Sequence, residues 1–122
     1  MAELPDRDAA VLLDMLLAAQ DAQGFIADLE KDAFLGSRLH QSAVIRALEI
    51  IGEAANNVSS ATQAAYPEIP WREITGMRHR LIHGYADVDL DRVWDTVQSH
   101  LHPLIVLLQR IVPGDDTAAK DS

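Results

Sequence analysis

The chain is expected to be all-α, an up-and-down bundle of four main helices plus one short helix. Three observations predict this. Apolar residues recur at steps of three and four along most of the 122 positions. Residues that favour helix starts (Asp, Ser, Pro) and stops (Gly) fall between those periodic stretches. No segment reads convincingly as a strand, and there is no internal repeat or low-complexity block.

The first helix should begin after Pro5-Asp6, since proline tolerates an early helical position and an aspartate favours a helix N-terminus. Ala9, Leu12, Leu16 and Ala19 supply its apolar stripe. Gly24 marks a bend, after which Phe25, Ile26 and Leu29 resume the pattern. Lys31 to Ser37, with Gly36 inside it, reads as a connection. A second helix runs from about Ser37 towards Val58 on a seam of Val44, Leu48, Ile51 and Ala55, with Arg46, Glu49 and Glu53 near its flank. Ser59-Ser60 restarts a short helix through Gln63. The stretch Tyr66-Pro67-Glu68-Ile69-Pro70 is then stiffened by its two prolines.

Trp71 to Ile82 forms the third main helix, with Gly84 placed to end it. Asp87-Val88-Asp89 offers N-cap side chains for the last one. There Leu90, Trp94, Val97, Leu101, Leu104, Leu108 and Ile111 alternate steps of four and three, the strongest periodic signal in the chain. Pro103 removes a backbone hydrogen bond inside this run, so a kink is expected. Trp71 and Trp94 suit core or interface anchors. Residues 1–112 form one domain, and the polar 113–122 segment is expected to be a disordered tail.

Composition narrows the function classes. A single domain of this length holds its own core without staples. Cysteine is absent, so disulfides and thiolate zinc sites are excluded. No apolar run approaches the roughly 18 residues of a membrane span, and the N-terminus lacks the pattern of a signal peptide. A cytoplasmic protein is expected. The net charge of −9 argues against a general nucleic-acid coat. Yet Trp71–Tyr85 holds Arg72, Arg78 and Arg80 against Glu73 alone, a net +2 that leaves −11 for the remainder. A basic island on an acidic body suits a small phosphate site, and the body suits docking of a basic partner.

Within the island, Met77 to Tyr85 gathers two arginines, two histidines and a tyrosine. An always-charged guanidinium beside an imidazole makes an anion clamp next to a proton-transfer group. On a helical wheel Ile74, Met77 and Leu81 mark the buried side, while Arg72, Gly76, His79 and His83 form another stripe. Gly76 would allow close approach of a backbone or ligand there. Arg78 and His83 stand about 140° apart and share no face. A helix ending at Ile82, a long Arg stem or a second subunit would reconcile them. Arg78 leans towards the apolar side, where it needs a carboxylate, and Glu53 is the candidate partner.

At the helix C-terminus the dipole favours a protonated His83, suited to act as general acid towards a leaving alkoxide. Arg78 would stabilise the phosphorane charge. On RNA the neighbouring 2′-hydroxyl already supplies the nucleophile. Plainer readings remain open at this point. Arg78 and Arg80 could be solvated or salt-bridged, and Tyr85 could pack on the helix end. His79 and His83 have the i, i+4 spacing of a metal pair but no third ligand nearby, so no metal is expected. His100 and His102 read as structural or exposed.

Arg78-x-x-x-x-His83-x-Tyr85 resembles the R-x4-H-x-Y motif of HEPN-domain ribonuclease toxins, specifically the HepT-like family paired with MntA-type minimal nucleotidyltransferase antitoxins. Ile51-Gly52-Glu53-Ala54, Tyr66-Pro67-Glu68-Ile69-Pro70-Trp71, and Asp87-Val88-Asp89 with Val93-Trp94 extend the likeness from about Asp6 to Ile111. The resemblance implies a HEPN-like all-helical homodimer whose cleft joins the Arg and His of both subunits. It further implies metal-independent RNA cleavage by Arg78 and His83, supported by His79, Arg80 and Glu53, with no cofactor. The antitoxin would transfer AMP to Tyr85 and silence the cleft by bulk and charge. One position departs from the family pattern: the residue after the motif Arg is most often Asn and here is His79. The competing expectation is a non-catalytic helical module that binds nucleotide or a partner.

Overall fold

The computed structural model describes residues 4–83 and 88–112, without the side chains of residues 82 and 83. Those residues form seven helices and no strand: α1 (Asp6–Phe25), α2 (Lys31–Leu35), α3 (Arg38–Asn56), α4 (Ser60–Ala65), α5 (Trp71–His83), α6 (Leu90–Ser99) and α7 (Leu101–Ile111). The all-α expectation holds. No described helix is long and apolar enough to cross a membrane.

Capping decides most of the boundaries. Ser37, Ser59 and Asp89 each accept a hydrogen bond from the backbone N–H three residues on, at His40, Thr62 and Arg92. Each thereby satisfies one donor that a helix start leaves unpaired. α1 has no such cap of its own. Its first turn instead sends Asp8, only 2 % exposed, across to the start of α4. There the carboxylate accepts from the Ser59 backbone N–H at 3.1 Å and from the Ser59 and Thr62 hydroxyls. These bonds, Ser59 foremost, hold the Asp8 pKa below the ordinary carboxylate value.

α3 is the central helix, packed on one side by α1 and on the other by α5, while α7 closes against α1. Its seam of Val44, Leu48, Ile51 and Ala55 is wholly buried, at 1 % exposure or less. Two expectations about local structure fail. Lys31–Ser37 is no mere connection, because α2 drives Phe34 into the core at 0 % exposure. Its ring lies 5.5 Å from that of Trp94 on α6, in a tilted pair. The last helix is broken rather than kinked: α6 ends at Ser99, and His100 (φ −112°, ψ −23°) separates it from α7. Pro103 explains the position, since its ring clashes with the carbonyl four residues back, at Ser99, yet fits the first turn of a new helix.

The proline-stiffened turn is fastened before α5 begins. Trp71 Nε1 donates to the carbonyls of Gln63 and Tyr66, both at 3.1 Å. Ile69 is buried beneath it at 1 % exposure. The start of the motif helix is therefore anchored to α4 and the turn.

Candidate functional site

α5 meets α3 almost backbone to backbone, and Gly52 makes that possible. A Cβ built at Gly52 would collide with Arg78 Cβ and would stand 3.0 Å from the Ile74 carbonyl oxygen and 3.2 Å from Arg78 Cα. Ile74 and Arg78, one helical turn apart, thus straddle a residue with no side chain. The expected close approach at Gly76 is not found within the chain: its nearest neighbour is Arg80 Nη1, at an ordinary 3.6 Å from where a Cβ would stand. Glycine inside a helix costs about 1 kcal/mol relative to alanine, and Gly52 on the apolar side of α3 was the signal that sequence reasoning passed over.

The stem of Arg78 is consequently rooted in the α3–α5 seam, and its Nε is buried with no hydrogen-bond partner among the described residues. The expected Glu53 partner does not meet it. Glu53 is exposed and turns towards α1, near Val11, Asp14 and Asn57. One residue along a helix is a rotation of about 100°, so Gly52 faces α5 while Glu53 faces away from it. Among the described residues the ion pairs are Lys31–Asp91 at 2.9 Å and Arg46–Glu49 at 3.6 Å. Neither involves Arg78.

The rest of the motif divides around α5. His79 and Arg80 are exposed, and Arg80 lies on the flank away from α3. The basic island is therefore two separate faces, with Arg78 in the seam and Arg80 on the opposite side. The helix does not stop at Ile82 as one expectation required; it includes His83. With helical backbone at both positions, the angle of about 140° between Arg78 and His83 stands within one chain. The side chain of His83, and all of Gly84, Tyr85 and Asp87, lie outside the described residues, as does the 113–122 tail. No three His, Asp or Glu side chains among the described residues gather in metal-ligating geometry.

On the Arg80 side the bundle is open. A groove of about 690 Å³ runs between α5 and the α6–α7 pair. Its floor is aliphatic, from Leu48, Ile51, Ile74, Leu81, Val93 and Leu104. Arg80 and Glu73 stand on one bank, and Arg92, Thr96 and His100 on the other. Sequence reasoning did not find this second bank, although the i, i+4, i+8 spacing of those three residues was there to be read.

The chain is thus an α-helical bundle with Arg78 rooted in the seam between α3 and α5. The family profile described as "Ribonuclease HepT-like" matches residues 15–111, most of the chain. The protein belongs to that family. Among its relatives, "Probable ribonuclease HepT" of Thermococcus cleftensis is 42 % identical over 93 residues, covering 76 % of this chain and 84 % of that one. "Putative RNase MJ0125" of Methanocaldococcus jannaschii is 36 % identical over 110 residues, 89 % of this chain and 95 % of the relative. "Putative RNase MJ1216" of the same organism is 34 % identical over 119 residues, 97 % of each chain. No solved structure matches the chain at a significant level.

Proposed function

We propose that this protein is the toxin of a toxin–antitoxin pair, an endoribonuclease that cuts cellular RNA (tRNA or mRNA) without a metal, at a cleft between two copies of the chain. The observation that carries the reading is Arg78. It is a permanent cation rooted in the close α3–α5 seam, its Nε buried and without a hydrogen-bond partner among the described residues. A guanidinium held on so rigid a root is preorganised for charge that develops on a phosphate. The family membership and the names of the relatives supply the substrate class.

In the proposed reaction the RNA 2′-hydroxyl attacks the adjacent phosphorus and loses its proton to solvent. The bond to the 5′-oxygen breaks, leaving a 2′,3′-cyclic phosphate on one product. His83 gives its proton to the departing 5′-oxygen, and Arg78 stabilises the phosphorane. Because positions 78 and 83 stand about 140° apart around an ideal helix, a second copy completes the pair in this scheme. His79 and Arg80 would support RNA around it, and Glu53 keeps no role as partner of Arg78.

The test is RNA cleavage in the presence of EDTA, with the cyclic phosphate identified at the product end. Arg78→Ala and His83→Ala should each lower the rate by about 10²–10⁴. Cleavage that survives both substitutions overturns the assignment.

Control by an MntA-type nucleotidyltransferase belongs to the same proposal. The Tyr85 hydroxyl would attack the α-phosphorus of ATP, forming the AMP ester and releasing pyrophosphate. Intact mass after co-expression with the neighbouring gene product should rise by whole AMP units, and Tyr85→Phe should prevent the rise. The acidic body favours a second reading, a non-catalytic helical module that binds nucleotide or a partner. Partner binding retained with no RNA cleavage at any protein concentration would select it.

A further inference from the structure

Apart from Arg80, the groove between α5 and α6–α7 has no part in the cleavage scheme, and its charges are arranged in a way the overall composition does not lead one to expect. In a chain of 19 acidic and 10 basic residues, an exposed arginine should easily find a carboxylate. Arg80 and Arg92 both line the groove, and neither forms an ion pair among the described residues. α6 is divided lengthwise. Asp91 is drawn towards α2 by Lys31 at 2.9 Å, while Arg92, Thr96 and His100 follow one another up the groove wall. The Asp89 carboxylate is engaged at the α6 N-terminus by Arg92 N–H, at 3.2 Å. Glu73 is the one other acid on the banks.

We infer that this groove is a track for single-stranded RNA, in which Arg80, Arg92 and His100 hold backbone phosphates leading towards the end of α5. Arginine is an ordinary phosphate donor, and the His100 ring carries an N–H that can donate beside it, while the Thr96 hydroxyl already donates to the Arg92 carbonyl at 2.8 Å. Arg92 to His100 spans about 12 Å along α6 at 1.5 Å per residue, enough to meet more than one phosphate. The groove volume of about 690 Å³ lies within the range that admits nucleotide-sized groups. A protein occupant fits less well. Ile51, Leu48 and Val93 on the floor are already only 0 %, 1 % and 5 % exposed, so a covering helix would remove little apolar surface. Arg80 and Arg92 stand exposed on its two banks.

The inference rests on the ribonuclease reading for its ligand, and the test separates the two. A fluorescein-labelled single-stranded oligoribonucleotide of mixed sequence is titrated with the cleavage-silenced His83→Ala protein at several salt concentrations. Adding Arg80→Ala and Arg92→Ala together should weaken binding about tenfold and reduce the slope of log K against log salt by about 1.4, two phosphate contacts at about 0.7 each. Glu73→Gln should tighten binding. In the cleavage-competent chain the double substitution should raise KM and leave kcat largely intact, while Arg110→Ala, exposed at the far end of α7, changes neither.

Unchanged affinity and salt slope in the double variant would overturn the track, even if the wild-type chain cleaves RNA. Binding that depends on both arginines in a chain that never cleaves would keep the track and sink the nuclease reading. Sedimentation of the same variants covers the remaining occupant: loss of self-association with RNA affinity unaltered would make the groove an interface between copies and refute the inference.

Discussion

Gly52→Ala adds one methyl group at the point where α3 and α5 touch. The new Cβ collides with Arg78 Cβ and falls 3.0 Å from the Ile74 carbonyl oxygen. Restoring ordinary separations of about 3.5–4 Å requires the two helices to part by about an ångström. Overpacking of this kind costs about 1–3 kcal/mol, against a gain of about 1 kcal/mol from replacing glycine with alanine inside a helix. Because the clash involves backbone-rooted atoms that cannot swing aside, the cost falls in the upper part of that range, about 2–3 kcal/mol, so the expected net effect is a loss of about 1–2 kcal/mol, or a Tm lower by roughly 3–10 °C in a domain of this size. Gly24→Ala is the internal comparison. No atom lies within 4 Å of a Cβ there, so the same change near the end of α1 should be neutral or stabilise by up to about 1 kcal/mol. Urea unfolding followed by far-UV circular dichroism reads both variants. A Gly52→Ala protein as stable as the wild type, or more so, would refute the argument that this glycine sets the α3–α5 distance and with it the root of Arg78.

Asp8→Ala should cost about 2–3 kcal/mol, because Ser59 N–H and two hydroxyls lose a charged acceptor at a buried site. The native pKa of Asp8 is depressed from its ordinary 3.8, so its stabilisation is complete above that value and is lost as pH falls through it towards the lower native pKa. Acid unfolding of Asp8→Asn should accordingly be shallower than that of the wild type; identical acid limbs would sink the assignment. Phe34→Ala should destabilise by about 3–5 kcal/mol, since the ring is fully buried against Trp94, and a cost under about 1 kcal/mol in a urea melt would contradict its place in the core.

The helices with clear caps were readable in advance. Ser37, Ser59 and Asp89 mark starts that the structure keeps, and the seam of α3 is buried as its spacing predicts. Failures came where a local rule lacked a neighbour. Five residues of α2 are too few to show a helical period, so Phe34 left no pattern. Pro103 announced a disturbance, but its clash acts four residues upstream, which places the interruption at Ser99–His100. Arg78 was rightly read as leaning inward, yet the wheel gives direction and not what lies opposite. The facing position is Gly52, and Glu53 beside it looks away. Tyr85 lies outside the described residues, so its role rests on family likeness and the experiments above.

The bond from Asp8 to the Ser59 backbone joins positions 51 apart in the chain. Nascent α1 and α3 can therefore pair as soon as both are made, but this fastening waits until α4 has emerged from the ribosome. Until then the first turn of α1 has a bare carboxylate and no cap. Slow synthesis just before position 59, or a bulky fusion placed against the first helix, should lengthen the interval in which that end is open to proteases.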